Sequence, residues 1–151
     1  MIEIKEISAV QTYAVRLEVL RKGIDLPVHF VGDTAKNTFH LGVFEDNVLV
    51  TVASFMKTTN LLFSKEQYQL RGMATLPASR GKGYGKKLLV EAIMLLENKQ
   101  LEVLWCNARE TALTFYLKLD FQIKGEPFEI KNIGKHFLLY KVLNQKIQPT
   151  F

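Results

Sequence analysis

One cysteine, Cys106, is the whole thiol complement of this 151-residue sequence. That excludes an internal disulfide and a multi-cysteine zinc site. Three histidines, His29, His40 and His136, lack the paired spacing of metal ligands, so no metal is expected. Proline is also scarce, with four residues scattered at positions 27, 77, 127 and 149, and no Pro- or Ser-rich linker divides the chain. The longest apolar stretches, 48–56 and 88–96, are interrupted by polar residues. Both fall well short of the ~20 apolar residues a membrane helix needs. The opening residues Met1-Ile2-Glu3-Ile4-Lys5-Glu6 carry too much charge for a signal peptide. A soluble, cytoplasmic protein with no membrane partner is expected, its single domain spanning residues 1–151.

What is present is ordinary for a globular chain: 48% apolar and 23% charged residues. The formal charge of +5 is spread thinly. Only Arg80, Lys82, Lys86 and Lys87, within eight residues and with no acid among them, concentrate it. A solvated surface face and an anion-binding site both account for such a run. The aromatics do not interleave with basic residues as a nucleic-acid footprint requires, so no nucleic acid is expected.

Period-two alternation marks a strand over Ile2–Ile7. Ser8 and Gln11 have capping-box spacing, and Val10, Tyr13, Ala14, Leu17 and Leu20 follow at helical intervals. Residues 24–38 read as irregular. Two β-rich runs, 39–45 and 48–57, flank Asp46-Asn47 as a hairpin. A strand over 68–74 precedes a loop that opens at Pro77. From 83 to 98, apolar residues at 88, 89, 92, 93, 95 and 96 trace a wide helical face. A buried strand over 102–106, a short helix carrying Ala112, Phe115, Tyr116 and Leu119, and strands over 121–123 and 137–143 complete the chain. The fold class is α/β (α+β), with helices packed on a mixed sheet.

The chemistry concentrates in Met73-Ala74-Thr75-Leu76-Pro77-Ala78-Ser79-Arg80-Gly81-Lys82-Gly83-Tyr84-Gly85, which joins a strand to the long helix. A glycine-rich turn at a helix start can aim several N–H groups and the helix dipole at one anion. Two familiar phosphate loops fail on spacing. For a Walker loop, Gly81 and Gly85 stand one residue too close, and Lys87 holds the Ser/Thr position. For a dinucleotide fingerprint, Lys86 holds the third glycine position.

Arg-x-x-Gly-x-Gly, filled by Arg80, Gly83 and Gly85, resembles the pyrophosphate signature of the GNAT superfamily, the acetyl-coenzyme A-dependent N-acetyltransferases. A second segment, beginning Cys106-Asn107, resembles that superfamily's Asn-x-x-Ala-x-x-Phe-Tyr-x-x-x-Gly-Phe pattern. It matches at Asn107, Ala112, Phe115, Tyr116 and Phe121, with Asp120 in place of glycine at a turn where Asp tolerates left-handed φ. The ending from Gly125 to His136 resembles a small bacterial, ElaA-like subgroup. The resemblance covers about residues 2–143 and implies a mostly antiparallel central sheet with helices on both faces.

It also implies roles. Acetyl-coenzyme A would be the co-substrate. Backbone groups of Met73, Ala74 and Thr75 would pair with its pantetheine. Amides of Gly81, Lys82, Gly83, Tyr84 and Gly85 would hold the pyrophosphate, with Arg80 bracing the loop and Lys82, Lys86 and Lys87 supplying charge. Asn107 would bond the pantetheine, and Tyr116 would protonate the departing thiolate. The acceptor would be an amine of a small molecule or a peptide, selected by residues near 17–38 and 124–137. A homodimer is compatible with the resemblance.

Tyr116 lies on its helix's apolar face, where a packed tyrosine is the competing reading, and Cys106 reads as core. A lysine-like amine with pKa near ~10.4 costs about 4.6 kcal/mol to neutralise at pH 7. The superfamily often relays that proton through a Glu on the strand before the loop. Here the strand has no acid, and His40, Glu45, Glu66, Glu110 and Glu129 leave the base unassigned. A non-catalytic module sensing coenzyme A is the alternative.

Overall fold

In a computed structural model, residues 1–144 are described. The elements run β1 (Ile2–Ile7), α1 (Ala9–Leu20), β2 (Phe39–Glu45), β3 (Val48–Met56), β4 (Gln67–Thr75), α2 (Tyr84–Asn98), β5 (Val103–Arg109), α3 (Leu113–Leu117), β6 (Gln122–Ile123), β7 (Phe128–Ile130) and β8 (Gly134–Val142). Single 3₁₀ turns precede α2 at Pro77–Ser79 and α3 at Glu110–Ala112. No helix among the described residues is long and apolar enough to cross a membrane.

Contacts gather into two units, Met1–Lys57 with Leu70–Leu89, and Thr58–Gln69 with the described residues from Val90 on. In the first, strands follow the order β1-β2-β3-β4. The β1/β2 and β2/β3 pairs are antiparallel, with a bulge between Val43 and Phe44. Asp46 and Asn47 take φ of 48° and 70°, the paired left-handed values of a two-residue hairpin turn. In the second unit, residues 67–69 of β4 pair in parallel with β5, β5 pairs antiparallel with β8, and β8 carries both β6 and β7. The sheet is therefore mixed and mostly antiparallel. Ile7, Val15, Val52 and Ala74 form one apolar cluster of the first unit. Val103, Trp105 and Leu138 form one in the second.

Ser8 caps α1 through the expected reciprocal bonds with Gln11. The buried face of that helix differs from the one its apolar spacing indicates. Val10 and Leu17 are exposed, and Ala9, Thr12, Val15 and Arg16 face inward. Arg16 has no exposed surface. Its guanidinium meets both carboxylate oxygens of Asp33 at 2.8 and 2.9 Å, and donates to Ser54 Oγ and the Val28 carbonyl. A buried ion pair, bonded also to Ser54 and Val28, has taken the place of apolar residues. In α2 the spacing holds better: Tyr84, Leu88, Leu89, Ala92 and Leu96 are buried, while Leu95 turns outward. Strand β7 appears where the sequence shows no alternation, and β8 begins at Gly134 rather than at 137. Asp120 adopts φ of 67°, the left-handed turn expected of it.

Burial alone would push the Asp33 carboxyl up, but hydrogen bonds from Arg16 and the Phe30 N–H hold it below its ordinary value. Its stabilising contribution is thus present above the ordinary carboxylate pKa and lost as pH falls through the lowered one. Asp33→Ala strands a buried charge and should cost about 3–5 kcal/mol, measured as a lower urea midpoint at pH 7. The gap from the unsubstituted protein should narrow as the pH approaches 3, and replacing Arg16 by Met in the same chain should restore most of the loss.

Candidate active site

Strand β4 ends at Thr75, the chain makes one 3₁₀ turn at Pro77–Ser79, and α2 starts at Tyr84. In the intervening turn Gly81 and Gly83 take φ of 78° and 79°. Neither is crowded: a Cβ at either position would meet nothing within 4 Å. Glycine is required there by the backbone, and the space above it stays open for a ligand. The first backbone N–H at the start of α2 to reach a preceding-turn carbonyl is that of Lys87, on Gly83 at 3.1 Å. The amides before it are the unsatisfied donors that begin any helix. No acid occupies the first turn of α2. Donors, dipole and the exposed Lys86 and Lys87 therefore all favour an anion.

The turn is braced by a residue with no sequence signal for that role. Glu45, at the end of β2, accepts from Ser79 Oγ at 3.1 Å, from Lys82 Nζ at 2.8 Å, and from the Tyr84 hydroxyl. Lys82 and then Tyr84 are the main causes that pull the Glu45 carboxyl down to about 2, with Ser79 adding to them against a smaller burial effect. The Tyr84 hydroxyl is held above its usual value, chiefly by the same bond. Of the lysines assigned to phosphate charge, Lys82 is thus paired to Glu45. Arg80 reaches back to the end of β4, Nε donating to the Thr75 carbonyl at 3.2 Å. Thr75 Oγ1 also lies 3.0 Å from Thr51 Oγ1. The register of β4 with β5 covers Gln67 to Gln69, and Met73, Ala74 and Thr75 lie beyond it, where an extended ligand can add as a further strand.

Asn107 and Tyr116 lie in the second unit. Asn107 is exposed on β5. Tyr116 is buried on α3, its ring edge-on to Phe115 and Phe121 at 5.0 and 5.3 Å. Burial first, then the neighbouring Cys106, pushes its hydroxyl well above the ordinary tyrosine value, so it keeps its proton at neutral pH. Cys106 is itself buried and its thiol is pushed up by desolvation, the profile of a core residue.

Groups left open as a base are placed as follows. His40 is buried, with Nδ1 2.6 Å from Ser54 Oγ and Nε2 2.9 Å from the Asp33 carbonyl. Glu45 braces the turn, and Glu110 pairs with Lys135 at 3.2 Å. Glu66 and Glu129 are exposed. Strand β4 itself carries Arg71. Among the described residues no His/Cys/Asp/Glu group could hold a metal ion.

Glu45 should titrate near 2 in a carboxyl-detected NMR experiment. Lys82→Met or Tyr84→Phe should each move that titration upward. An ordinary value in the unsubstituted protein would show that the brace is absent in solution.

Against this geometry the comparisons with known proteins are specific. A family model described as an acetyltransferase (GNAT) domain matches residues 37–123. The uncharacterized N-acetyltransferase YitI of Bacillus subtilis (strain 168) is 39% identical over 145 residues, covering 95% of this chain and 97% of that protein. The same fold recurs in Escherichia coli ElaA, with TM-score 0.78, 19% identity and coverage of 93% and 99% of the two chains. It recurs again in the PaiA N-acetyltransferase of Thermoplasma acidophilum in complex with coenzyme A, with TM-score 0.70, 18% identity and coverage of 94% and 99%. Glycine turn, helix start and relatives agree: the chain belongs to the GNAT family of acetyltransferases.

Proposed function

We propose that this chain transfers an acetyl group from acetyl-coenzyme A to an amine of a small molecule or peptide, by direct attack of the amine on the thioester. The observation that carries the reading is the turn at 80–83, where two left-handed glycines leave open space beside unsatisfied helix-start amides. Those amides, from Gly81 to Gly85, hold the pyrophosphate. Lys86 and Lys87 supply the mobile positive charge, since Lys82 is spent on Glu45. Arg80 and Glu45 are positioning residues that keep the turn in shape. Met73, Ala74 and Thr75 offer backbone groups to the pantetheine, and Asn107 adds a side-chain bond.

Tyr116 supplies the proton to the departing sulfur. The assignment rests on the resemblance of the segment from Asn107 to Phe121, since a hydroxyl pKa raised by burial works against proton transfer to a thiolate. An N–H near Met73 stabilises the oxyanion that develops on the carbonyl. Cys106 takes no part, because desolvation keeps it a thiol. The absence of acid from β4 favours, as a second reading, a module that binds coenzyme A without turnover.

Acetyl-coenzyme A at ~100 times its Kd should stabilise the protein by about 2.7 kcal/mol, a shift of a few degrees in Tm. Gly83→Val should remove that shift and, because φ is left-handed there, lower the unliganded stability by roughly 1–2 kcal/mol. Tyr116→Phe should keep the shift and slow thiol release by about 10²-fold or more. Loss of the shift with Tyr116→Phe would make the residue a packing element. No release with any amine, despite a shift, would favour the sensor.

A further inference from the structure

Three guanidinium groups surround one ring. Arg16, Arg71 and Arg21 place their guanidinium carbons 3.8, 4.5 and 5.4 Å from the centre of Phe30, a buried residue of the irregular segment between α1 and β2. Asp33 is the carboxylate that pairs with Arg16. Both its oxygens are taken by Arg16, and one also accepts the Phe30 N–H. Arg21 donates to the carbonyls of Pro27 and Leu20.

Arg71 differs from both. It is half-buried on β4, it lies against Phe30, and no hydrogen bond or ion pair joins its guanidinium to a described residue. Next to it on the strand, Gly72 lies so close to Phe30 that a Cβ would come within 2.8 Å of the ring. On the same side that Cβ would stand 3.3 Å from Arg16 Nε, which is buried and has no hydrogen-bond partner. The chain has thus given up a side chain at 72 to pack two cations about one aromatic ring. A half-buried charge without an anion costs free energy, and a guanidinium offers five donors in a fork matched to two oxygens.

We propose that Arg71 docks a carboxylate of the acetyl acceptor, so that the acceptor class is amines that also carry a carboxylate, with amino acids as the simplest members. Calling the ligand an acceptor rests on the acetyl-transfer reading above. Geometry favours a carboxylate: Arg16 is neutralised by Asp33 and Arg21 donates to backbone carbonyls, which leaves the Arg71 fork to meet two oxygens of the incoming group. Position separates this docking point from the pyrophosphate turn. Arg71 lies four residues before the end of β4, about 13 Å along a strand at ~3.3 Å per residue. The cations also bear on the missing base. An ammonium brought near positive charge loses its proton more readily, which lightens the deprotonation that no carboxylate on β4 can assist.

The test begins on the cofactor-free full chain, following the Arg71 Nε–H resonance by NMR. The probes are a pool of N-acetyl amino acids with free carboxylates, the matching pool of carboxamides, and inorganic phosphate. The carboxylate pool should move the resonance and the carboxamides should leave it in place. Equal movement with both pools, or with neither, overturns the proposal, and a stronger response to phosphate replaces the carboxylate by a phosphate group. In turnover, amino acids should exceed their carboxamides in kcat/KM by at least tenfold. Arg71→Gln should bring that ratio to about one, and Arg71→Lys should keep part of it. A ratio unmoved by Arg71→Gln in a folded variant also overturns the proposal. Failure of the acetyl-transfer reading registers separately, as an absent thermal shift with acetyl-coenzyme A.

Discussion

Two backbone conformations that L side chains rarely adopt, at Gly81 and Gly83, set the conditions for the rest of the site. A left-handed residue on either side of Lys82 brings the chain off β4 and into the first turn of α2 with its amides uncovered. An uncapped helix start stays available only if something other than a side-chain cap holds the entering segment. Glu45 does this from a neighbouring strand end, gathering Ser79, Lys82 and Tyr84 on one carboxylate. In the proposed site, negative charge shapes a place for negative charge. The carboxylate is neutralised by Lys82 and also accepts from Ser79 and Tyr84, so it would oppose an incoming phosphate weakly.

The first unit repeats the logic at a second place. Arg16 and Asp33 pair while buried, and their bonds to Ser54, Val28 and Phe30 fix an otherwise irregular segment to α1. That fixation holds Phe30 over Arg71. A loop with no helix or strand of its own thereby acquires a defined aromatic surface beside β4. A cation on that strand would, in the proposed role, recruit an anionic group of the acceptor and disfavour a protonated amine.

Much of this was legible in the amino-acid order, and the limits have physical causes. The glycine turn, its strand and its helix could be read because each is a local signal: positive φ demands glycine, and an amphipathic helix repeats at close intervals. The hairpin at Asp46-Asn47 and the left-handed Asp120 were readable for the same reason. The face of α1 was not, because apolar periodicity assumes that buried means apolar, and Arg16 is buried by virtue of Asp33, 17 residues away. Glu45 escaped for a related reason: its partners lie 34 to 39 residues on, and nothing near it marks a brace. Strand β7 alternates poorly and is defined by its pairing with β8. Each miss is a long-range polar contact or an edge pairing, neither of which leaves a period in the sequence.

The central claim is that main-chain amides at the start of α2 grip a diphosphate. Titration of the ¹⁵N-labelled chain with coenzyme A tests it directly. The amide resonances of Gly81, Gly83 and Gly85 should move downfield together and saturate at one concentration, as new hydrogen bonds to phosphate oxygens require. If those resonances stay in place while others shift, the ligand is held elsewhere and the account is contradicted.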